Sequence, residues 1–377
     1  MKKTYKILVF GMTSNPGGVE SFLMNYYRKL DRNKFHLDFL CNTHGKIAYE
    51  DEIKSLGGKI FKVSARSKHP IKYSIEINSF FKKNAKNYDC IWVNLNSLAN
   101  IDYLKLAKKY GIHCRIIHSH NSANMDNKLR GLLHNWNKRK IGKYATNYWA
   151  ASKEAGLWFY SSLKSSKVEI IKNAIDVDNF AFNREDRNNI RQNNSLTGFI
   201  VLGNIGRLHF QKNQSFAIDI LDNLVKKNPN YKLVLVGQGE DREKLIQKTK
   251  VLHLESNVLF TGAQTNINSW LSAFDIFIFP SIFEGLGIAG LEAEANGLPV
   301  FASKSVIPSE LKINSNFQFV SLKKNAKYWA DLIAEQSINN RLSQEKIFNN
   351  FIYSGFDINN AVIFLEKKLE SAIENNS

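Results

Sequence analysis

The sequence predicts an α/β protein made of two doubly wound parallel-sheet domains. Short segments rich in β-branched and aromatic residues alternate with helical segments along the chain, which is typical of parallel sheets covered by helices on both faces. The alternation is interrupted once, at the polar residues 183–194, and then begins again. The 377 residues, 44% of them hydrophobic, are sufficient for two cores of ordinary size. We therefore predict an N-terminal Rossmann-like domain over residues 1–178 and a C-terminal one over 190–354, facing each other across a ligand-binding cleft.

The first domain is predicted to contain seven strands separated by helices. Helical periodicity is clearest in Gly18–Leu30 and Ala99–Tyr110, where apolar side chains recur on one side. The predicted strands are Tyr5–Met12, Phe35–Asn42, Lys59–Ala65, Tyr88–Leu95, Arg115–His120, Asn147–Ser152 and Val168–Ala174.

The second domain is predicted to contain six strands, again separated by helices. The last segment, Ile358–Ile373, has the pattern of an amphipathic helix, and the helix at about 355–377 is a candidate to pack back on the first domain. The predicted strands are Phe199–Ile205, Tyr231–Gly237, Asn257–Gly262, Asp275–Ser281, Pro299–Ser303 and Phe317–Leu322.

The net charge of +18 is concentrated in the first half of the chain. Residues 1–178 contain 31 Lys and Arg against 14 Asp and Glu, whereas residues 179–377 contain 21 and 20. A one-sided positive field attracts an anionic surface or a polyanion. A Lys-rich proteome is the simpler explanation for the total, but it does not account for the asymmetry.

Cysteine usage and hydropathy favour a cytoplasmic location. The cysteines are Cys41, Cys90 and Cys114, without any CxxC spacing, so neither a disulfide framework nor a zinc site is predicted. The N-terminus lacks the pattern of a signal peptide. No apolar run approaches the roughly 18 residues of a spanning helix. We predict a cytoplasmic protein that is peripheral on the inner face of the membrane.

The segment from Asp275 to Glu294 has the pattern of a phosphate-binding strand, turn and helix. A buried strand leads into a turn carrying Glu284, and a helix starting near Gly287 places Glu292 in its second turn. The glycines allow a ligand to approach the backbone, and a helix N-terminus offers unpaired N–H groups to a phosphate. The predicted ligand contacts here are Glu284, Gly285, Leu286, Gly287 and Glu292.

Two charged residues follow the first strand of the second domain. After Gly206, Arg207 has the geometry to bridge two phosphate oxygens, and Lys212 supplies a point charge. Together they are predicted to bind phosphate groups and to stabilise their negative charge. Two further glycine turns follow strands, at Gly237 and at Gly17–Gly18. The latter turn lacks a P-loop Lys-Ser/Thr and a full GxGxxG pattern, which disfavours an ATPase or a dehydrogenase.

These segments resemble glycosyltransferase family 4 of the GT-B fold, whose signature is two glutamates separated by seven residues. The pattern is most similar to bacterial capsular and exopolysaccharide transferases, and the resemblance covers Lys6 to about Ala330. It implies an acceptor-side first domain and a nucleotide-sugar-binding second domain. It further implies that Glu284 faces the donor hexose, Glu292 holds the ribose, Gly237 lies beside the base and ribose, and Gly17–Gly18 closes over the diphosphate.

The resemblance also implies the reaction. The expected enzyme is a retaining glycosyltransferase that moves a hexose or N-acetylhexosamine from a nucleotide sugar, UDP-linked by expectation, to a lipid-linked or polysaccharide acceptor in capsule or exopolysaccharide synthesis. Neither a cofactor nor a metal is expected. Glu284 and Glu292 are therefore not interpreted as the acid and nucleophile of a glycosidase.

Two histidines end the strand Arg115–His120. Side chains two apart on a strand face the same way, so His118 and His120 are both candidates to reach the reacting sugar. The resemblance implies one histidine at this strand end; His120 is the first choice and His118 the alternate. A metal site is not predicted, because a third ligand at suitable spacing is missing.

The segment Lys128–Ile141 mixes cations with leucines and a tryptophan. A helix with this pattern suits the interface of an anionic bilayer, and the equally weighted alternative is a basic surface helix that packs its Leu and Trp side chains on the core.

Two other functions compete with a transferase. A nucleotide-sugar epimerase could use the same fold. A basic nucleic-acid-binding protein is the distant alternative, although the chain has no DNA- or RNA-binding signature, and no nucleic-acid partner is predicted.

Overall fold

The computed structural model describes residues 3–121, 128–160, 167–284, 287–336 and 341–376. The chain divides into two compact units, of which the first comprises Met1–Ala174 with Ile358–Ser377 and the second comprises Ile175–Asp357. Each unit contains one parallel sheet covered by helices. The predicted α/β fold with two parallel sheets is confirmed.

The first unit is built on a seven-stranded parallel sheet in the order β3-β2-β1-β4-β5-β6-β7. Each predicted strand is present, although most end earlier than predicted. The sequence order turns back between β1 and β4, which makes this pair the switch point where α/β sheets bind ligands. The strands are β1 Tyr5–Phe10, β2 Phe35–Cys41, β3 Ile60–Lys62, β4 Cys90–Leu95, β5 Cys114–Ser119, β6 Asn147–Ala150 and β7 Val168–Ile170.

Helices cover both faces of the first sheet. One face packs against the apolar sides of α1 and α14, and the other against α3, α4 and α6. The C-terminal helix α14 is tied to the first unit by polar contacts at its end, where Tyr5 donates a hydrogen bond to Glu374 (2.8 Å). The helices of this unit are α1 Gly18–Lys29, α2 Glu50–Ser55, α3 Pro70–Asn84, α4 Asp102–Lys109, α5 Lys128–Lys138, α6 Lys153–Tyr160 and α14 Ile358–Glu374.

The second unit is built on a six-stranded parallel sheet in the order β10-β9-β8-β11-β12-β13. Its switch point lies between β8 and β11, where Ile276 pairs with Leu202 and Phe277 with Gly203. The strands are β8 Ile200–Ile205, β9 Tyr231–Val236, β10 Val258–Gly262, β11 Ile276–Phe279, β12 Val300–Ser303 and β13 Phe317–Val320. The helices are α7 Arg184–Asn193, α8 Gln214–Val225, α9 Arg242–Val251, α10 Ile267–Ala273, α11 Ile288–Ala295, α12 Ala326–Ala334 and α13 Gln344–Ser354.

Helix α5 presents its apolar side chains to solvent. Leu129, Leu132 and Trp136 are 65%, 68% and 62% exposed, whereas the polar His134 and Asn137 are buried. Both polar residues bond the backbone of the β4–α4 loop: Leu98 N–H donates to His134 Nδ1 (3.1 Å), and Asn137 donates to the Leu98 carbonyl (2.7 Å). The alternative in which α5 packs its Leu and Trp side chains on the core is therefore wrong.

No helix in the described ranges combines the length and the apolar character needed to cross a bilayer.

Candidate active site

The switch point of the second sheet brings two loops from distant parts of the sequence together. The loop after β8 and the loop after β11 are joined by a hydrogen bond from Ile282 N–H to the Gln211 carbonyl (2.8 Å) and by one from the Asn213 amide to the Pro280 carbonyl (3.1 Å). Lys212 is thereby held beside the residues that follow β11. Because neighbouring strands end at the same edge of the sheet, this position is where ligands of open α/β sheets bind.

Lys212 and Glu284 form an ion pair at this edge. The Lys212 ammonium contacts Glu284 Oε1, and Ser281 donates a hydrogen bond to the same oxygen (3.0 Å). The ammonium also lies 5.4 Å from the centre of the Phe279 ring, a cation–π contact that fixes its position. An ammonium has three donors, so Lys212 retains the capacity to bind a phosphate oxygen while it contacts Glu284.

Glu292 lies on α11, close enough to Lys212 to sense its charge. Burial raises the pKa of the Glu292 carboxyl to about 7, and the positive charge of Lys212 lowers it in part. Without a ligand, this carboxyl is therefore close to half protonated at neutral pH. A half-buried carboxyl at a sheet edge, with a raised pKa and a cation nearby, is typical of a binding site.

Gly287 caps the N-terminus of α11 with a left-handed backbone, φ 81°. A Cβ atom there would lie 2.7 Å from the Phe279 ring, so the turn before Glu292 requires glycine. Gly285 and Leu286, which the sequence also assigns to this turn, lie outside the described residues.

Arg207 follows β8 and is paired with a residue that the sequence analysis did not identify. Its guanidinium forms an ion pair with the Glu240 carboxylate, in which Nε lies 3.1 Å and Nη2 lies 3.0 Å from Oε2. His209 Nε2 lies 3.2 Å from the other oxygen of Glu240. Arg207 and Glu240 are both well exposed, so a phosphate would have to compete with Glu240 for the same guanidinium face.

The turns at Gly206 and Gly237 are in direct backbone contact. Gly206 N–H donates to the Val236 carbonyl (3.0 Å), and a Cβ atom on Gly237 would lie 2.1 Å from the Gly206 carbonyl oxygen. Only glycine fits at position 237, where φ is 141°. The close approach places the β8 and β9 turns side by side.

Removing the Glu240 carboxylate is expected to strengthen binding of a nucleoside diphosphate. Glu240→Gln keeps the side-chain shape but weakens its hold on Arg207, so we expect UDP to bind about two- to fivefold more tightly, because an exposed ion pair is worth at most about 1 kcal/mol. Titration calorimetry with UDP measures this. Glu243→Gln, in the first turn of α9, is the control with no expected effect. Weaker UDP binding by Glu240→Gln would instead make Glu240 a positioning residue for Arg207.

In the first unit, His118 and His120 lie side by side in an aromatic cluster. Both contact Phe22, with ring centres 5.0 and 4.8 Å apart, so they face the same way as predicted from the strand. His118 is completely buried and stacks on Trp92, 6.0 Å between centres. His120 retains some exposed surface, and the burial therefore favours His120 as the residue of the pair that a ligand reaches.

His120 is held as a neutral ring of one tautomer. Burial lowers its pKa to about 3, and burial is also the main reason that the pKa of His118 lies well below its usual range. Asn94 uses its amide N–H to bind the Phe10 carbonyl (3.2 Å), so its oxygen accepts from His120 Nε2 (2.9 Å). The proton thus resides on Nε2, and Nδ1 is an acceptor without a hydrogen-bond partner among the described residues. Asn94 was not identified from the sequence.

The Gly17–Gly18 turn lies after β1, at the switch point of the first sheet. Gly18 begins α1, and a Cβ atom on it would meet open space, so the backbone there is accessible. Glu20 is buried below the turn and accepts hydrogen bonds from the Thr13 N–H (3.1 Å) and the Thr13 hydroxyl (2.5 Å). Glu20 therefore fixes the loop that carries the two glycines.

Known proteins that are similar to this chain in sequence or fold are glycosyltransferases. The family model for "Glycosyl transferases group 1" matches residues 185–351, which contain the loops after β8, β9 and β11. EpsF of Bacillus subtilis (strain 168), a glycosyltransferase by name, is 29% identical over 356 residues, which cover 91% of this chain and 90% of EpsF. The capsular polysaccharide biosynthesis glycosyltransferase CapH of Staphylococcus aureus is 27% identical, covering 94% of this chain and 95% of CapH.

A third relative carries a specific activity in its name. The Escherichia coli UDP-Gal:alpha-D-GlcNAc-diphosphoundecaprenol alpha-1,3-galactosyltransferase is 24% identical and is matched over 95% of both chains. Among solved structures, Anabaena Alr3699/HepE in complex with UDP-glucose superposes with a TM-score of 0.78 at 19% identity, covering 97% of this chain and 99% of that chain. The lipopolysaccharide glycosyltransferase WaaG superposes with a TM-score of 0.70 at 15% identity, covering 98% and 99%. Residues 185–351 of the chain thus match the group 1 glycosyltransferase model, the chain is similar over more than nine tenths of its length to glycosyltransferases named for capsular and other polysaccharide synthesis, and its two parallel-sheet units have the GT-B fold.

Proposed function

We propose that the chain is a retaining glycosyltransferase that transfers a hexose or N-acetylhexosamine from a UDP-sugar to a lipid-linked saccharide. The observation that carries the proposal is the grouping of Lys212, Glu284 and Glu292 at the switch point of the second sheet. The HepE structure contains UDP-glucose, and the name of the E. coli relative gives a UDP-sugar donor and a diphosphoundecaprenol acceptor. These descriptions support the choice of donor and acceptor class.

In this proposal Lys212 and Arg207 stabilise the departing diphosphate. The acceptor hydroxyl oxygen forms the new bond to the anomeric carbon as the bond from that carbon to the diphosphate oxygen breaks. The hydroxyl proton passes to a phosphate oxygen, and the negative charge that develops on UDP is met by the ammonium and the guanidinium. Attack from the face that the leaving group occupies keeps the anomeric configuration.

The two glutamates have separate tasks in the same scheme. Glu284, fixed by Lys212 and Ser281, presents a carboxylate oxygen to sugar hydroxyls, which are donors. Glu292 accepts from the ribose hydroxyls, and this requires its ionised form. Arrival of the diphosphate beside Lys212 leaves the ammonium shared between a phosphate and Glu284.

The assignment is tested by transfer to a defined acceptor. Purified protein is incubated with UDP-hexoses or UDP-N-acetylhexosamines and a short-chain lipid diphosphate carrying one N-acetylglucosamine, with and without EDTA. We expect an extended glycolipid whose new linkage has the anomeric configuration of the donor by NMR, and the same rate in EDTA. An inverted linkage would contradict the retaining mechanism, and conversion of the UDP-sugar without any acceptor would indicate an epimerase.

We further propose that α5 docks the first unit on an anionic membrane, on the cytoplasmic side. The exposed apolar residues Leu129, Leu132 and Trp136 share this short helix with a cluster of cations. Lys140 lies 3.9 Å from the centre of the Trp136 ring, so charge and aromatic surface are presented together. Apolar and cationic side chains side by side match the two layers of an anionic bilayer interface.

Replacing the two cations that follow α5, the exposed Arg139 and the half-buried Lys140, is expected to release the protein from acidic vesicles. Lys138 is a poor target, because burial lowers its pKa and its ammonium lies over the Trp158 ring. Arg139→Gln with Lys140→Gln should weaken binding to phosphatidylserine vesicles by about 2 kcal/mol, and raising salt should have the same effect. Co-sedimentation is the measurement.

A matched control is available in the second unit. Lys244→Gln with Lys250→Gln removes the same charge from the exposed side of α9 and should leave vesicle binding unchanged. Equal release by both pairs would mean that only net charge matters, and wild-type protein that ignores acidic vesicles at low salt would exclude the docking role of α5.

A further inference from the structure

The first unit contains a cavity of about 410 Å³ between α3 and α4 that neither the donor site nor α5 uses. It lies beyond the ends of β3 and β4, on the face of the sheet that α3, α4 and α6 cover. The lining residues combine two cations and a carboxylate with hydroxyl, amide and apolar side chains. They include Arg66, Tyr73, Ser74, Ile77, Asp102 and Lys105.

The charges of this cavity are arranged around Asp102. Arg66 Nη1 lies 3.2 Å from one carboxylate oxygen, and Lys105 Nζ lies 3.4 Å from the other. Two cations therefore share one carboxylate, which leaves a net charge of +1 in a recess of the surface. A phosphate group would satisfy both cations at once, as charge-assisted bonds to phosphate are the preferred contacts of Arg and Lys.

Two exposed apolar side chains stand beside the cavity. Ile71 and Ile75 are 77% and 66% exposed and are not themselves among the residues that line the cavity. They stand one turn apart on α3, adjacent to Pro70 and Ser74, which line the cavity. A ligand whose phosphate lies between Arg66 and Lys105 would thus have a hydrocarbon surface beside it. Neither a free phosphate nor a sugar makes use of that surface.

We infer that the cavity between α3 and α4 binds the phosphate of a lipid-linked substrate, with Ile71 and Ile75 against the first carbons of the lipid chain. The inference rests on the proposed transfer to a lipid-linked saccharide, because it assigns the anchor point of that acceptor. The saccharide itself would extend from the phosphate. Arg66 and Lys105 act here as binding residues, and Asp102 holds the two cations in place when the cavity has no ligand.

The inferred site is tested by titration calorimetry of the full chain with farnesyl diphosphate, a soluble lipid diphosphate. Arg66→Gln with Lys105→Gln should weaken binding at least about tenfold. Asp102→Asn should strengthen farnesyl diphosphate binding severalfold, because the substitution frees the two cations for the phosphate. A folding defect, in contrast, would lower the affinity of both variants. Lys82→Gln with Lys83→Gln, at the exposed end of α3, is the matched control and should have no effect.

Two further measurements are needed. The first shows whether the lipid chain contributes to binding in addition to the phosphates, and the second shows whether the ligand binds in this cavity or in the donor site. Inorganic pyrophosphate should bind more weakly than farnesyl diphosphate, and Ile71→Ser with Ile75→Ser should abolish that difference. Lys212→Ala should not affect farnesyl diphosphate. The inference is overturned if the Arg66 and Lys105 variant binds normally, if pyrophosphate binds equally well, or if Lys212→Ala abolishes binding. The UDP affinity of Glu292→Gln, measured in parallel, reports on the proposed donor site, because Glu292 does not line this cavity, so failure of one assignment is distinguishable from failure of the other.

Discussion

Lys212→Ala is expected to lower the turnover number about 10²- to 10³-fold, with a much smaller change in donor affinity. The ammonium lies at the carboxyl edge of the second sheet, against Glu284 and the Phe279 ring, and its charge matters most when the diphosphate departs. Because the ground-state donor also carries phosphate charge, some weakening of binding accompanies the loss. The larger effect falls on the step in which negative charge develops.

Steady-state kinetics with the UDP-sugar and the lipid-linked acceptor distinguish the two effects. Lys227→Ala, which removes an exposed lysine paired with Asp331 in the same unit, is the control and should retain wild-type kinetics. A rise in the Michaelis constant without a fall in the turnover number would show that Lys212 contributes equally to ground state and transition state. In that case its assignment to the leaving group would be wrong.

Glu292→Gln is expected to weaken UDP binding by about 1.5–3 kcal/mol at pH 8, where the wild-type carboxyl is ionised. The wild-type pKa is about 7, so the wild-type carboxyl loses its charge as the pH falls from 8 to 6. If the ribose hydroxyls donate hydrogen bonds to the Glu292 carboxylate, the affinity of the wild type for UDP should fall as this charge is lost. The difference between wild type and variant should therefore shrink at pH 6. Calorimetry with UDP at both pH values is the measurement.

The same substitution should have the opposite effect on folding stability. A carboxyl whose pKa is raised on folding contributes full stability below its unfolded pKa of about 4.5, and this contribution is lost as the pH rises through the folded value of about 7. Gln mimics the protonated form at every pH. Glu292→Gln should therefore match wild type in urea denaturation at pH 5 and exceed it at pH 8, by at most about 3 kcal/mol.

Glu294→Gln provides a matched control on the same helix. Glu294 is also buried, but its carboxylate accepts hydrogen bonds from the Ile313 and Asn314 backbone instead of facing a ligand. UDP affinity should be unchanged in that variant. Unchanged UDP affinity in Glu292→Gln at pH 8 would remove Glu292 from the ribose site.

The strands were predictable from sequence because parallel strands are buried on both faces. Segments such as Ile276–Phe279 are continuous apolar runs, and the turn residues that follow them, Glu284 and Gly287 among them, stand at fixed places after each strand. Strand ends were less predictable. β7 stops at Ile170 rather than at Ala174, since the chain leaves its single neighbouring strand there, and no sequence pattern encodes the loss of a neighbour.

Side-chain partners and protonation states could not be predicted in the same way. The pairing of Arg207 with Glu240 spans 33 residues and depends on how two loops approach each other. The raised pKa of Glu292 depends on burial, which composition does not reveal. Helix α5 is the clearest example of what the sequence leaves open. Its pattern is compatible with leucine and tryptophan side chains that either pack on the core or face solvent, and the structure shows that they face solvent while His134 and Asn137 are buried.

The central claim is that the second unit binds a nucleotide-sugar donor at the carboxyl edge of its sheet, and titration of UDP and UDP-sugars into the purified chain tests it most directly. We predict saturable binding of UDP and of at least one UDP-sugar by wild-type protein at pH 8, weakened at least about tenfold by Glu292→Gln. Binding that the Glu292 substitution leaves unchanged, or no binding of any UDP-, GDP- or ADP-sugar, would contradict the claim.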